Sequence, residues 1–131
     1  MSLVLDASAL IGWAMPDEGN LDLGPALISH DEVLAPWLLW VELRNILLVS
    51  ERRGRLPAGM VEQLVGTFEA LAITLDTSPD SAVVIDLARR HGLTAYDALY
   101  LETALRHGAD LASLDRALLR AAVAEGVSVI G

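Results

Sequence analysis

The sequence predicts an α/β fold in which a parallel sheet is covered by helices on both faces. Two observations carry this prediction: short apolar runs alternate with longer helical patterns along the 131 residues, and each run is followed by one or two helices. That order is typical of parallel sheets buried between helices. No linker, repeat or low-complexity stretch interrupts the pattern, so we expect a single domain over residues 1–131.

Proline and glycine set most of the predicted boundaries. Gly24-Pro25 is expected to interrupt the second helix, Pro36 to close the second strand, and Pro79 to lie in the first turn of the fifth helix. The predicted strands cover residues 2–5, 33–35, 72–75, 110–113 and 127–130. The predicted helices cover residues 7–15, 21–29, 37–53, 58–71, 79–90, 95–106 and 115–124.

Composition excludes several classes of site. The chain has no cysteine, which excludes disulfides and thiolate metal sites. Its nine basic side chains are all arginine, so mechanisms that need a lysine, such as Schiff-base chemistry and the P-loop, are excluded as well. A net charge of −9 argues against a broad basic surface for nucleic acid. It does not exclude a small cleft in which bound cations invert the local field.

Hydropathy suggests a cytoplasmic protein with apolar surface left for a partner or a second copy. The apolar fraction is 53% and the mean hydropathy is +0.46. No apolar run approaches the roughly 18 residues that span a bilayer. No basic stretch precedes the first apolar residues, so a signal peptide is not expected.

Four acids lie in aliphatic sequence: Asp6, Glu42, Asp97 and Asp115. Burying an isolated carboxylate is strongly unfavourable. Brought together, four carboxylates would form an oxygen-rich pocket suited to a hard divalent cation. Two like charges about 5 Å apart repel by roughly 3 kcal/mol at an effective dielectric near 20. Such a cluster therefore requires shared protons or a cation.

The predicted elements bring these acids towards one place. Asp6 and Asp115 directly follow the first and fourth strands, whose carboxyl ends are where open α/β sheets bind ligands. Asp97 lies in the first turn of its helix, with Thr94 as the expected cap. Glu42 lies on an apolar helical stripe and is expected to face inward.

Each acid also has a simpler explanation. Asp6 and Asp115 would be N-caps of the helices that follow them, and Asp97 a first-turn acid favoured by the helix dipole, worth about 0.3–1 kcal/mol. Glu42 satisfies no helix-end amide, so its alternative is a buried ion pair or a half-exposed side chain. These alternatives stay open from the residues alone.

The motifs around the acids resemble those of PIN-domain ribonucleases, and in length and spacing most resemble the VapC-type toxins of bacterial type II toxin–antitoxin systems. The resemblance covers essentially the whole chain. It implies a three-layer α/β/α fold with a sheet of about five strands in the order 3-2-1-4-5. The motifs are Val4-Leu5-Asp6-Ala7-Ser8, Glu42 within Trp-Val-Glu-Leu, Thr94-Ala95-Tyr96-Asp97-Ala98 and Leu114-Asp115-Arg116.

The resemblance implies an Mg²⁺- or Mn²⁺-dependent endoribonuclease that hydrolyses RNA phosphodiester bonds. It further implies a homodimer and a VapB-type antitoxin that blocks the acids. Asp6, Asp97 and Asp115 would hold metal, and Glu42, as a catalytic acid of the same metal site, would orient or deprotonate the attacking water. The expected contacts with substrate or acids are Ser8, Ser113 and Arg116.

Alternative interpretations remain. Phosphoacceptor receiver domains and haloacid dehalogenase-type phosphatases also have acids at strand ends. Both need a lysine near the site, and this chain has none. An inactive PIN-like module that binds RNA or protein, a PIN nuclease of RNA maturation, and a DNA substrate stay open. The three tryptophans are expected in the core more than at an interface, the histidines His91 and His107 at helix ends, and His30 has no identifiable partner.

Overall fold

A parallel sheet of five strands forms the centre of the molecule in the computed structural model, which describes residues 1–15, 17 and 19–131. The strands are β1 (Ser2–Leu5), β2 (Glu32–Pro36), β3 (Thr74–Asp76), β4 (Asp110–Ala112) and β5 (Val129–Ile130). All neighbours pair in parallel, in the order β3-β2-β1-β4-β5. The predicted strand order is confirmed, and β1 and β4 are neighbours.

Helices cover both sides of this sheet, as predicted. They are α1 (Ala7–Ala14), α2 (Gly24–Ser29), α3 (Leu38–Arg52), α4 (Met60–Ala70), α5 (Ser81–His91), α6 (Ala95–His107) and α7 (Arg116–Ala124). Of these, α6 packs against β1, β2 and β4, and α5 and α7 pack against α6. The helix that carries Asp97 is therefore held from several sides.

The central strand is apolar because both of its faces are covered. Leu3, Val4 and Leu5 are fully buried, and in register they lie opposite residues of β2 on one side and of β4 on the other. Leu5 pairs with Ala112 at the carboxyl end of β4. This register places the residue after β1 beside the residues after β4, which is what a shared site at this edge requires.

Three predicted boundaries are wrong for local reasons. Gly24-Pro25 begins α2 instead of interrupting it, because proline fits the first helical turn. Pro79 precedes α5, whose N-cap is Asp80. The third strand starts only at Thr74, because Ala72 has a φ of 53° and ends the preceding turn.

The expected core position of the tryptophans is wrong for two of the three. Trp13 packs, partly buried, against the core. Trp37 and Trp40 are 50% and 53% exposed. The expected positions of His91 and His107 at helix ends are confirmed, since Gly92 and Gly108 are left-handed C-caps. Within the described part of the chain, no helix has both the length and the apolarity to cross a membrane.

Candidate active site

The four acids singled out in the sequence line one pocket at the carboxyl edge of the sheet. We call it the acid pocket. Asp6 and Asp115 reach it from the ends of β1 and β4, Glu42 from α3, and Asp97 from the first turn of α6. The residues lining the acid pocket are Asp6, Ala7, Ser8, Glu42, Ile46, Asp97, Tyr100 and Asp115.

Asp6 is buried and fixed in place by several hydrogen bonds. Its Oδ1 accepts from the Ala9 amide at 2.9 Å, as expected of an N-cap, and from Ser8 Oγ at 2.7 Å. Its Oδ2 accepts from Ser113 Oγ at 2.5 Å. Burial raises the pKa of Asp6, these hydrogen bonds oppose the rise, and the charge of Asp97 adds to it. The N-cap explanation is therefore correct, but it accounts for only one of the Asp6 oxygens.

Ser8 and Ser113 join the loop after β1 to the loop after β4. Besides donating to Asp6, Ser8 Oγ accepts from the Leu114 amide at 2.8 Å. Ser113 Oγ accepts from the Asp115 amide at 2.9 Å. Asp115 Oδ1 in turn caps α7 by accepting from the Leu118 amide at 3.0 Å. The expectation that Ser8 hydrogen-bonds an acid is met, and both serines position Asp6 and Asp115.

Glu42 is half-buried and turned towards α6. Tyr100 Oη donates to Glu42 Oε1 at 2.6 Å. Burial raises the pKa of Glu42, the Tyr100 hydrogen bond lowers it, and Asp6 and Asp97 raise it further. Burial also raises the pKa of Tyr100 far above its ordinary value, so the phenol stays a neutral donor. The alternative of a buried ion pair for Glu42 is wrong, because its partner is a phenol.

Asp97 lies where its motif predicted. Thr94 Oγ1 accepts from the Asp97 amide at 3.2 Å and caps α6, so this expected cap is present. Burial raises the pKa of the Asp97 carboxyl, the nearby charge of Asp115 raises it further, and Thr94 opposes the rise. The carboxylates in the acid pocket thus repel one another.

None of the described residues supplies a compensating cation to the acid pocket. Across the described residues, none of the ion pairs involves Asp6, Glu42, Asp97 or Asp115. Every acid in this pocket with a shifted pKa is shifted upwards. The pocket is an electrostatic environment in which an added cation is stabilised.

The donor chemistry fits a hard divalent ion, since carboxylates and hydroxyls are the oxygen ligands that Mg²⁺ and Mn²⁺ prefer. As the side chains stand, however, no three acidic or histidine side chains among residues 1–15, 17 and 19–131 converge closely enough to hold one ion. Asp6, Asp115 and Glu42 each have at least one oxygen that accepts a hydrogen bond from the protein.

Two features were missed by the sequence reasoning. Tyr100 lines the acid pocket, and its position three residues after Asp97 on α6 could have revealed it, because residues at i and i+3 share a helix face. His30, for which no partner was identified, contacts Asp110 Oδ2 at 2.8 Å and the Ala26 carbonyl at 2.7 Å. Arg116 is exposed at the first position of α7 and does not line the acid pocket.

The fold agrees with what comparison with known proteins gives. The model of the PIN domain family matches residues 3–124, and the chain belongs to that family. It is similar to Ribonuclease VapC3 of Pyrobaculum aerophilum, with 34% identity over 124 residues. The match covers 90% of this chain and 92% of that relative.

Solved structures of low identity show the same fold. PAE2754 from Pyrobaculum aerophilum superimposes with a TM-score of 0.77 at 24% identity, covering 98% of this chain and 83% of that one. FitAcB from Neisseria gonorrhoeae gives 0.66 at 21% identity, covering 98% and 96%. A toxin–antitoxin complex from Klebsiella pneumoniae gives 0.58 at 18% identity, with 86% of each chain covered.

Proposed function

We propose that this protein is a single-domain, metal-dependent endoribonuclease that hydrolyses RNA phosphodiester bonds, and that it is the cytoplasmic toxin of a VapBC-type pair. The observation that carries the proposal is the acid pocket, where four carboxylates meet and no described residue adds a cation. Membership of the PIN family and the 34% identity to Ribonuclease VapC3 support the reaction class.

In this proposal, Asp6, Asp97 and Asp115 hold Mg²⁺ or Mn²⁺ and Glu42 serves the same catalytic site. Bound there, the ion supplies Lewis-acid stabilisation of the charge on the phosphate. Glu42 orients the attacking water or accepts its proton. The water oxygen bonds to phosphorus, the bond from phosphorus to the leaving ribose oxygen breaks, and that oxygen takes a proton from solvent water. Tyr100 holds Glu42 in position.

The proposed protein partner is an antitoxin, because the comparable solved structures include a toxin–antitoxin complex. Two apolar surfaces suit such a partner. One is a groove between α3 and α4 that includes Leu39, Trp40 and Phe68. The other adjoins Glu42 and contains Val41 and Tyr96, which are 47% and 62% exposed. A segment bound across the second surface would cover the acid pocket.

We also propose a homodimer, since large apolar side chains remain exposed on α3. Size-exclusion chromatography with light scattering tests this directly. The expected mass is twice the 14.0 kDa of one chain at micromolar concentration. A stable single-chain mass at that concentration would refute the dimer without affecting the proposed chemistry.

A second candidate is an inactive PIN-like module that binds RNA or protein. The observation that favours it is that no three acidic or histidine side chains in the described part of the chain lie close enough together to hold one metal ion. A PIN nuclease of RNA maturation would share the same pocket and differ only in its substrate.

Cleavage of total RNA distinguishes the candidates. Wild-type protein is expected to cut RNA with Mg²⁺ or Mn²⁺, and EDTA is expected to stop the reaction. Asp6→Asn and Asp97→Asn are expected to abolish it. Asp80→Asn is the matched control, because Asp80 also caps a helix but lies outside the acid pocket. Undiminished cleavage by both pocket variants, or no cleavage by the wild type with either metal, would refute the nuclease proposal.

A further inference from the structure

The exposed face of α7 carries positive charge that none of the described residues neutralises. Arg116 and Arg120 lie one helical turn apart, both exposed, and no acid occurs between residues 116 and 124. Neither arginine takes part in any hydrogen bond, ion pair or ring contact with the described residues. In a chain with a net charge of −9, two adjacent unpaired arginines need an explanation.

Helix stability does not explain Arg116. It occupies the first position of α7, where the helix dipole is positive and a cation is unfavourable. By contrast, the unpaired Arg52 and Arg53 lie at the end of α3, where the dipole favours cations. Arg44, Arg90 and Arg106 are each paired with an acid of the protein.

Arg116 and Arg120 extend away from the acid pocket in one direction. Arg116 directly follows Asp115, which lines that pocket. Arg120 lies about 6 Å further along the helix axis and lines a cleft between α5 and α7 together with Arg90 and His91. Glu125 binds both of those residues, which leaves Arg120 as the unpaired charge of the cleft.

We propose that Arg116 and Arg120 bind consecutive phosphates of the RNA on one side of the cleaved bond and hold the strand along α7. This inference rests on the proposed nuclease function. The acidic total charge repels RNA in general, so the strand needs local positive charge where it leaves the acid pocket. Guanidinium groups suit this role because they bind phosphate oxygens in pairs.

The test compares Arg116→Gln/Arg120→Gln with the matched control Arg52→Gln/Arg53→Gln, which removes the same charge from exposed arginines outside the acid pocket. Binding of an RNA oligonucleotide is measured across a salt series in EDTA, where the RNA is uncleavable because the proposed reaction needs metal. Two lost phosphate contacts should weaken binding about tenfold and reduce the slope of log affinity against log salt by about 1.4. The control should keep the wild-type slope.

Cleavage gives a second readout. The α7 variant should lose kcat/KM on a long RNA by a larger factor than on a dinucleotide, which does not reach along α7. Wild-type affinity and salt slope in the α7 variant would overturn the inference, and so would a loss of antitoxin binding with RNA binding unchanged. Failure of the nuclease proposal would appear separately, as wild-type protein that binds RNA in EDTA but cuts no RNA with metal.

Discussion

Two groups of carboxylates in this molecule differ in how their charge is balanced. The acid pocket contains four acids and no cation of the described residues. Beyond the end of β3, Arg106 binds Asp76 at 2.7 Å and Glu102 at 2.6 Å, and His107 binds Asp76 at 2.7 Å. We call this second group the arginine-bridged cluster.

The contrast extends to proton affinity. Arg106 holds the pKa of Asp76 well below its usual range, whereas burial and mutual repulsion raise the pKa values of Asp6, Glu42 and Asp97. Both groups contain residues of the same helix, since α6 carries Asp97 in its first turn and Arg106 in its last. Carboxylates that the protein neutralises stabilise the fold, and those that it leaves unpaired are available to an external cation.

The largest expected difference between the two groups is in activity. Asp115→Asn should lower RNA cleavage by about 100-fold or more, because it removes a charged metal ligand from the proposed site. Asparagine still caps α7, so the fold should persist. Asp76→Asn should stay within a few-fold of wild type below its melting temperature. Equal losses in single-turnover cleavage by the two variants would contradict the comparison.

A divalent metal ion should stabilise the folded protein only by binding in the acid pocket. At 100 times its dissociation constant, a bound ion adds about 2.7 kcal/mol to the free energy of unfolding. We expect Mn²⁺ to raise the urea midpoint of the wild type and of Asp76→Asn, and EDTA to reverse the effect. Asp97→Asn should respond much less. An equal Mn²⁺ response in Asp97→Asn would place the ion elsewhere.

Stability in the absence of metal should rank the groups in the opposite order. Asp76 is 10% exposed and accepts hydrogen bonds from Arg106, His107 and the Ser78 amide, so Asp76→Asn should lower the free energy of unfolding by about 2 kcal/mol. Asp97→Asn should be neutral or stabilising, because it relieves repulsion from Asp115. Urea denaturation in EDTA measures both. A larger loss for Asp97→Asn would show that the acid pocket is structural.

The strand order is implied by the resemblance to PIN-domain ribonucleases. The meeting of the acids could be predicted because Asp6 and Asp115 directly follow strands, a pattern that is visible in the sequence itself. The sequence could not predict the arginine-bridged cluster, since Asp76 and Arg106 are 30 residues apart and only tertiary packing brings them together. Nor could it show which carboxylate oxygens already accept hydrogen bonds from the protein. Both oxygens of Asp6 do so, one from Ser8 and the other from Ser113.

Tyr100 should have a smaller effect that depends on Glu42. Tyr100→Phe keeps the buried ring and removes one hydrogen bond to a charged group, a loss of about 1.5 kcal/mol or roughly tenfold in kcat. Since that bond lowers the pKa of Glu42, the acidic limb of the pH–rate profile should move to higher pH. Thr103→Val is the control, because Thr103 on α6 binds only the Leu99 carbonyl. A profile unchanged in both variants would leave Glu42 independent of Tyr100.

The smallest expected effect is the pH dependence of stability in EDTA, where the two groups should have opposite signs. The raised pKa of Asp97 means that the native state binds more protons than the unfolded chain above about pH 4. Its presence therefore destabilises increasingly as pH rises through that window. The advantage of Asp97→Asn should be present at pH 7 and vanish near the ordinary carboxyl pKa. Because the pKa of Asp76 is lowered, its contribution is present at pH 7 and lost in acid. At pH 7 the urea midpoint of Asp97→Asn should lie above that of the wild type, and the midpoint of Asp76→Asn should lie below it. Both differences should shrink as the pH falls. A difference that stays constant with pH in either variant would contradict the assigned charge balance.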